Sequence, residues 1–160
     1  MPRPKTSSSA SAALPAHRTL GKYERLAYER SKRDHKEGHK RGLWFDQEAA
    51  DHVIAFFENY LCHFEGEWAG QPIKLEPEQK FMLSEVFGWK RADGTRRFRT
   101  AHNEVSRKFG KSLMGGGVGL YLEGPDQEPG AQVYAAATKE EQARIVHDAA
   151  KNMIDASDDL

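Results

Sequence analysis

The sequence predicts an α/β domain of parallel strands with flanking helices, preceded by a helical segment and a disordered basic tail. Three observations carry this. In the second half of the chain, strand-like runs alternate with helical patterns: RRFRTAHNEV (96–105), KSLMGGGVGLYL (111–122), AQVYAAAT (131–138) and KEEQARIVHDAAKNMI (139–154). Such alternation favours parallel strands joined by right-handed helical crossovers. Upstream of it, two further stretches carry apolar residues at helical spacing. The 160 residues, 38% hydrophobic with 8 Phe, 3 Trp and 5 Tyr, are enough for one core.

The elements follow in order. Residues 1–20 are rich in Ser and Ala, and residues 1–18 are basic and free of acid, so a disordered terminus is expected, superficially similar to a transit peptide. Residues 21–41, GKYERLAYERSKRDHKEGHKR, hold too few apolar residues to define a buried face and are expected as a solvated helix or loose basic arm. The first domain boundary is therefore placed at 42, with 1–42 a disordered or loosely helical basic tail and 43–160 the folded part. Asp46 is a good N-cap, and Ala49, Ala50, Val53, Ile54, Phe57, Tyr60 and Leu61 recur at helical spacing after it. A short extended piece is expected around residues 73–75. Pro77 then opens a helix with Phe81, Met82, Leu83, Val86 and Phe87 on a broad buried side, ended by Gly88. RADGT is a turn at Asp93 and Gly94 leading into the first strand, and GPDQEPG is a turn-rich connection after the third helix. The last helix, from 139, carries Ala143, Ile145, Val146, Ala149, Ala150, Met153 and Ile154.

Composition excludes some chemistry. The 24 Lys and Arg balance the 24 Asp and Glu, so net charge gives no push toward nucleic acid or membrane. Cys62 is the sole cysteine, which rules out an internal disulfide and a cysteine-based zinc cluster. No apolar run approaches the roughly 18 residues of a membrane span. The histidines show no metal-ligand spacing on a reliable element; His35 and His39 fall in the polar arm. Arg96, Arg97 and Arg99 read equally as a DNA contact and as a solvent face.

The segment SRKFGKS, residues 106–112, carries the chemistry. A nucleoside triphosphate needs converging backbone N–H groups, a cation for its outer phosphates and a hydroxyl for magnesium. Gly110 lets backbone approach phosphate, Lys111 reaches the β and γ phosphates, and Ser112 opens the helix and ligates Mg2+. Arg107 and Lys108 add positive charge. The general pattern GxxxxGK[ST] would place its first glycine at 105, where this chain has Val105. Four glycines, Gly115, Gly116, Gly117 and Gly119, lie in the helix that the loop opens, each costing on the order of 1 kcal/mol relative to Ala. They weaken this helix or allow it to pack closely on a sheet.

Three blocks in fixed order, LEPEQKFMLSEVFGW, RRFRTAHNEVSRKFGKS and GAQVYAAATKEEQA, resemble the N-terminal ATPase region of the large terminase subunit of tailed bacteriophages. The resemblance covers about residues 43–154. It implies a partial P-loop NTPase domain of RecA-like type, with ATP and Mg2+ as cofactors, in a motor that packages viral DNA into a capsid. It further implies that Gln79 reads the adenine edge, that Arg107 is the catalytic sensor or finger on the γ phosphate, and that Ser106, Arg107, Lys108, Phe109, Gly110, Lys111 and Ser112 form the phosphate loop. Members of this group commonly lack the first loop glycine. Ser106 and Phe109 depart from the family, which usually carries a proline and a polar residue there.

The partners so implied are double-stranded DNA, the portal and the small terminase subunit, with a homo-oligomeric ring at full length, no membrane, and the cytoplasm of the bacterial host as location. Such motors need a second apolar strand ending in an acidic pair, and Asp155, Asp158 and Asp159 follow a helix instead. The chain is accordingly expected to be a fragment without the acidic catalytic residues or the nuclease domain, a poor hydrolase alone. The alternative expectation is an inactive module that binds DNA or packaging partners without turnover.

Overall fold

The computed structural model describes residues 20–157 and 160; the tail expected over residues 1–19 lies outside them, as do Asp158 and Asp159. Five helices, α1 (Lys22–Glu37), α2 (Gln47–Tyr60), α3 (Pro77–Gly88), α4 (Lys111–Glu123) and α5 (Glu140–Asp155), are joined with two short strands, β1 (Leu43–Phe45) and β2 (Trp89–Arg91). The strands pair antiparallel, with Phe45 opposite Trp89 and Leu43 opposite Arg91.

The helices form where their local signals lie. Asp46 accepts a hydrogen bond from the Ala49 N–H at 3.1 Å, the N-cap expected for α2. Pro77 sits at the start of α3, where its missing N–H costs nothing. The turn after β2 holds Gly94 at φ 81°, and Asp93 accepts from the Thr95 N–H at 2.9 Å. One core unites α2, α3, α4 and α5: Val53, Phe56, Phe57, Leu83, Phe87, Met114, Tyr121, Ala149 and Met153 are all buried in it. Helix α2 packs on α3, and α4 packs on both α5 and α2.

Gly88 is the last residue of α3, the end expected for it, and its reason is space. A Cβ there would stand 2.6 Å from the Phe45 ring, so only glycine lets β1 cross that close. Gly116 and Gly117 of α4 serve a related purpose, with one difference from expectation: they face helices, not a sheet. A Cβ on Gly116 would lie 2.9 Å from the Ala150 backbone of α5, and one on Gly117 2.4 Å from Phe57 of α2.

Two expectations fail. Residues 96–105 and 131–138 are not strands, and no parallel pair exists among the described residues; the sheet is the β1–β2 pair. The physical reason is the absence of ladder neighbours. Residues 96–105 touch β2 only at their start, through a bridge between Lys90 and Arg96 and the bond from Arg97 N–H to the Trp89 carbonyl at 2.8 Å. Residues 131–138 have no ladder partner, and Val133 and Tyr134 are exposed, Tyr134 at 81%. A β-like sequence becomes a strand only when its N–H and C=O groups meet another strand.

Of the two forms expected for the basic segment 21–41, a solvated helix and a loose arm, the helix is found, though it is not fully solvated. It forms the regular helix α1, whose buried residues are Tyr28, stacked on Phe81 at 4.0 Å, and the polar Ser31 and Asp34. Asp34, 1% exposed, bonds to Arg41 and, at 2.6 Å, to Arg97. Ser31 donates to Glu85 of α3 at 2.7 Å, and Trp89 Nε1 donates to the same oxygen at 3.2 Å. Hydrophobic periodicity cannot reveal a face that has one aromatic residue and is otherwise built from ion pairs and hydroxyls.

Candidate functional site

The segment 106–112 is placed at the N-terminus of α4, as its residue types require. Lys108 at φ 65° and Gly110 at φ 86° both adopt the left-handed conformation, in the turn that leads directly into the helix. Gly110 is the N-cap, and its carbonyl accepts from Met114 N–H at 2.8 Å. The N–H groups of Lys111, Ser112 and Leu113 therefore belong to the first helical turn, where no intrahelical acceptor exists. Thirteen residues of aligned peptide dipoles add partial positive charge at that end.

Lys111 is exposed and its ammonium folds back over the loop, donating to the carbonyls of Val105 at 3.3 Å and Ser106 at 3.4 Å. Both contacts are long, so an anion competes with them easily. Ser112 is half-buried at the second helical position. Ser106, Arg107 and Lys108 are exposed, and Phe109 is half-buried. This donor set of one ammonium, one hydroxyl and first-turn amides fits the chemistry of a triphosphate with magnesium: the amides and Lys111 suit phosphate oxygens, and Ser112 suits the metal.

Gln79 and the loop, 30 residues apart in sequence, are brought together. The Gln79 amide oxygen accepts from the Glu76 N–H at 2.9 Å, and its nitrogen donates to the Phe109 carbonyl at 3.0 Å. Between α3, α4 and the loop lies an apolar cavity of about 320 Å³ lined by Met82, Leu83, Val86, Met114 and Val118, with Phe109 and Lys111 on its loop side. Sequence reasoning missed this cavity. Its signal is present as two apolar pairs at i, i+4 spacing, Met82 with Val86 and Met114 with Val118, which reading by periodicity assigns to a filled core.

The charged residues at the start of the segment that leads to the loop are paired. Burial opposes ionisation of Asp34, but hydrogen bonds from Arg97 and Arg41 outweigh it and hold the carboxyl below its usual 3.8. Arg97 also lies over the rings of Trp89 and Phe98, so the start of segment 96–105 is fixed to α1 and β2 together. Arg96, set at 2.6 Å against Asp126, lies over Phe87. Burial, aided by Asp126, pushes the Tyr121 hydroxyl up to about 12. It stays protonated and shares a 3.0 Å hydrogen bond with His52.

Comparison with known proteins gives a consistent picture. Residues 77–160 match the family described as the terminase large subunit, ATPase domain. The chain is also similar to the terminase large subunit of Enterobacteria phage HK97, 32% identical over 111 residues, covering 69% of this chain and 21% of that protein. It thus spans about a fifth of the length of that relative. No solved structure matches.

Proposed function

The chain belongs to the terminase large-subunit ATPase-domain family, and we propose from that premise that residues 106–112 bind the phosphates of ATP as part of a motor that packages phage DNA. The observation that carries this is the path of the loop: two left-handed residues, Lys108 and Gly110, turn the chain so that Lys111 and Ser112 form the first turn of α4. Lys111 holds the outer phosphates, Ser112 the magnesium ion, and the first-turn amides the phosphate oxygens between them. Arg107, exposed at the loop, is the candidate sensor of the γ phosphate, and Gln79 the candidate reader of adenine through the N–H that Phe109 does not use.

Double-stranded DNA, the portal and the small terminase subunit are the proposed partners, in a ring within the host cytoplasm. Helix α1 supports the DNA reading. Its outward side carries Lys22, Arg25, Lys32, Arg33 and Lys36, all exposed. Among the described residues no helix is long and apolar enough to cross a membrane.

Equilibrium binding of Mg·ATP tests the site. Lys111→Ala is expected to weaken binding by about a hundredfold, the loss of a charge-assisted contact to phosphate. Unchanged affinity in that variant would overturn the assignment.

A further inference from the structure

We propose that Gln79, besides its candidate contact to adenine, acts as a positioning residue for the phosphate loop, holding one peptide plane in the orientation that anion binding needs. This rests on the reading of residues 106–112 as a phosphate site.

The side-chain amide of Gln79 is oriented by what surrounds it. Its oxygen takes the Glu76 N–H at 2.9 Å, at the start of α3, and this fixes which end of the amide points outward. The nitrogen end then faces the Phe109 carbonyl at 3.0 Å. A flipped amide would set oxygen against carbonyl oxygen and NH₂ against N–H, so only one orientation satisfies both neighbours. Gln79 is 9% exposed, and both bonds are part-buried.

The bond to Phe109 has a geometric consequence. The Phe109–Gly110 peptide is trans, as no cis bonds occur among the described residues. In a trans peptide C=O and N–H point in opposite directions. A carbonyl held toward Gln79 therefore turns the Gly110 N–H away from α3. That peptide joins Phe109 to Gly110, and a glycine on its C-terminal side leaves the plane free of the Cβ restraint that other residues impose. Gln79 supplies the anchor, and a Cβ on Gly110 would meet its nitrogen at 3.4 Å. Phe109 is thus tied to α3 by its backbone, while its ring faces the apolar cavity. A positioned Gly110 N–H adds one donor to those of the first turn of α4, and it contacts phosphate whatever the base.

The test separates positioning from base reading. Affinities for Mg·ATP, Mg·GTP and inorganic triphosphate are measured on the full chain, together with the backbone amide resonance of Gly110. Two variants are used. Gln79→Leu removes both bonds without adding charge; Gln79→Glu keeps an acceptor for Glu76 N–H and so preserves the helix start, but cannot donate to Phe109. Positioning predicts that both variants lose affinity for all three ligands, base-free triphosphate included, by roughly five- to tenfold or more, with the Gly110 resonance shifted or broadened. Loss confined to ATP, or a Gly110 resonance and affinities that match the parent, would overturn it. The underlying site is checked separately: if the parent chain binds triphosphate and Lys111→Ala does not, a null result at Gln79 rejects the positioning role alone.

Discussion

Asp34 concentrates much of what single residues do in this chain. It is a carboxylate buried on the polar face of α1 and bonded to Arg41 and Arg97, so it joins the N-terminal helix to the segment that leads toward the loop. Breaking a buried pair costs about 3–5 kcal/mol, and because Arg41 is half-exposed the expected cost of Asp34→Asn is nearer 2 kcal/mol. The pH dependence follows from the lowered value in the folded state. A carboxyl below its unfolded 3.8 contributes stability that is complete above 3.8 and is lost as pH falls through the folded value. Urea denaturation should show the parent more stable than Asp34→Asn by a constant margin from pH 7 down to roughly pH 5, narrowing as pH drops below 3.8. A margin that persists unchanged at pH 2 would assign the loss to packing instead of charge.

Helix α4 shows how an element reconciles poor propensity with tight packing. Its glycines weaken it as an isolated helix, yet Gly117 and Gly116 allow α2 and α5 to approach to distances no Cβ permits. Gly119 is different: a Cβ there would meet Val133 at an ordinary 3.6 Å. Gly117→Ala should therefore destabilise the fold by about 2–3 kcal/mol through overpacking against Phe57, whereas Gly119→Ala should stabilise it by about 0.5–1 kcal/mol. Thermal midpoints of the two variants check this, and equal shifts of the same sign would deny the distinction.

The same contrast marks what the sequence disclosed. Helices α2 through α5 were legible because caps and apolar spacing are local signals, as Asp46, Pro77 and the Ala149–Met153 stripe show. Helix α1 was read as a solvated helix or loose arm, and its buried contacts were missed, since Ser31 and Asp34 look solvent-facing until Glu85 and Arg97 are brought beside them. The residue types of the loop could be read directly, but the bond from Gln79 to the Phe109 carbonyl could not, as it depends on where α3 lies in space.

At the scale of the whole molecule, the fold is a helical assembly with a small antiparallel pair, and the two segments expected as parallel strands lie without ladders on either side of α4. Strand formation is a property of pairs, so residues 96–105 and 131–138 carried strand character that their surroundings here do not use. The loop does not depend on those ladders for its shape. It is held by Gln79 from α3, by its own left-handed turns and by the start of α4. The central claim is that this loop, so held, binds the phosphates of ATP. Titrating the isotopically labelled chain with Mg·ATP while following every backbone amide tests it most directly. Saturable shifts largest at residues 107–113 and lost in Lys111→Ala are predicted; saturable binding whose shifts fall elsewhere, leaving those amides unmoved, would contradict it.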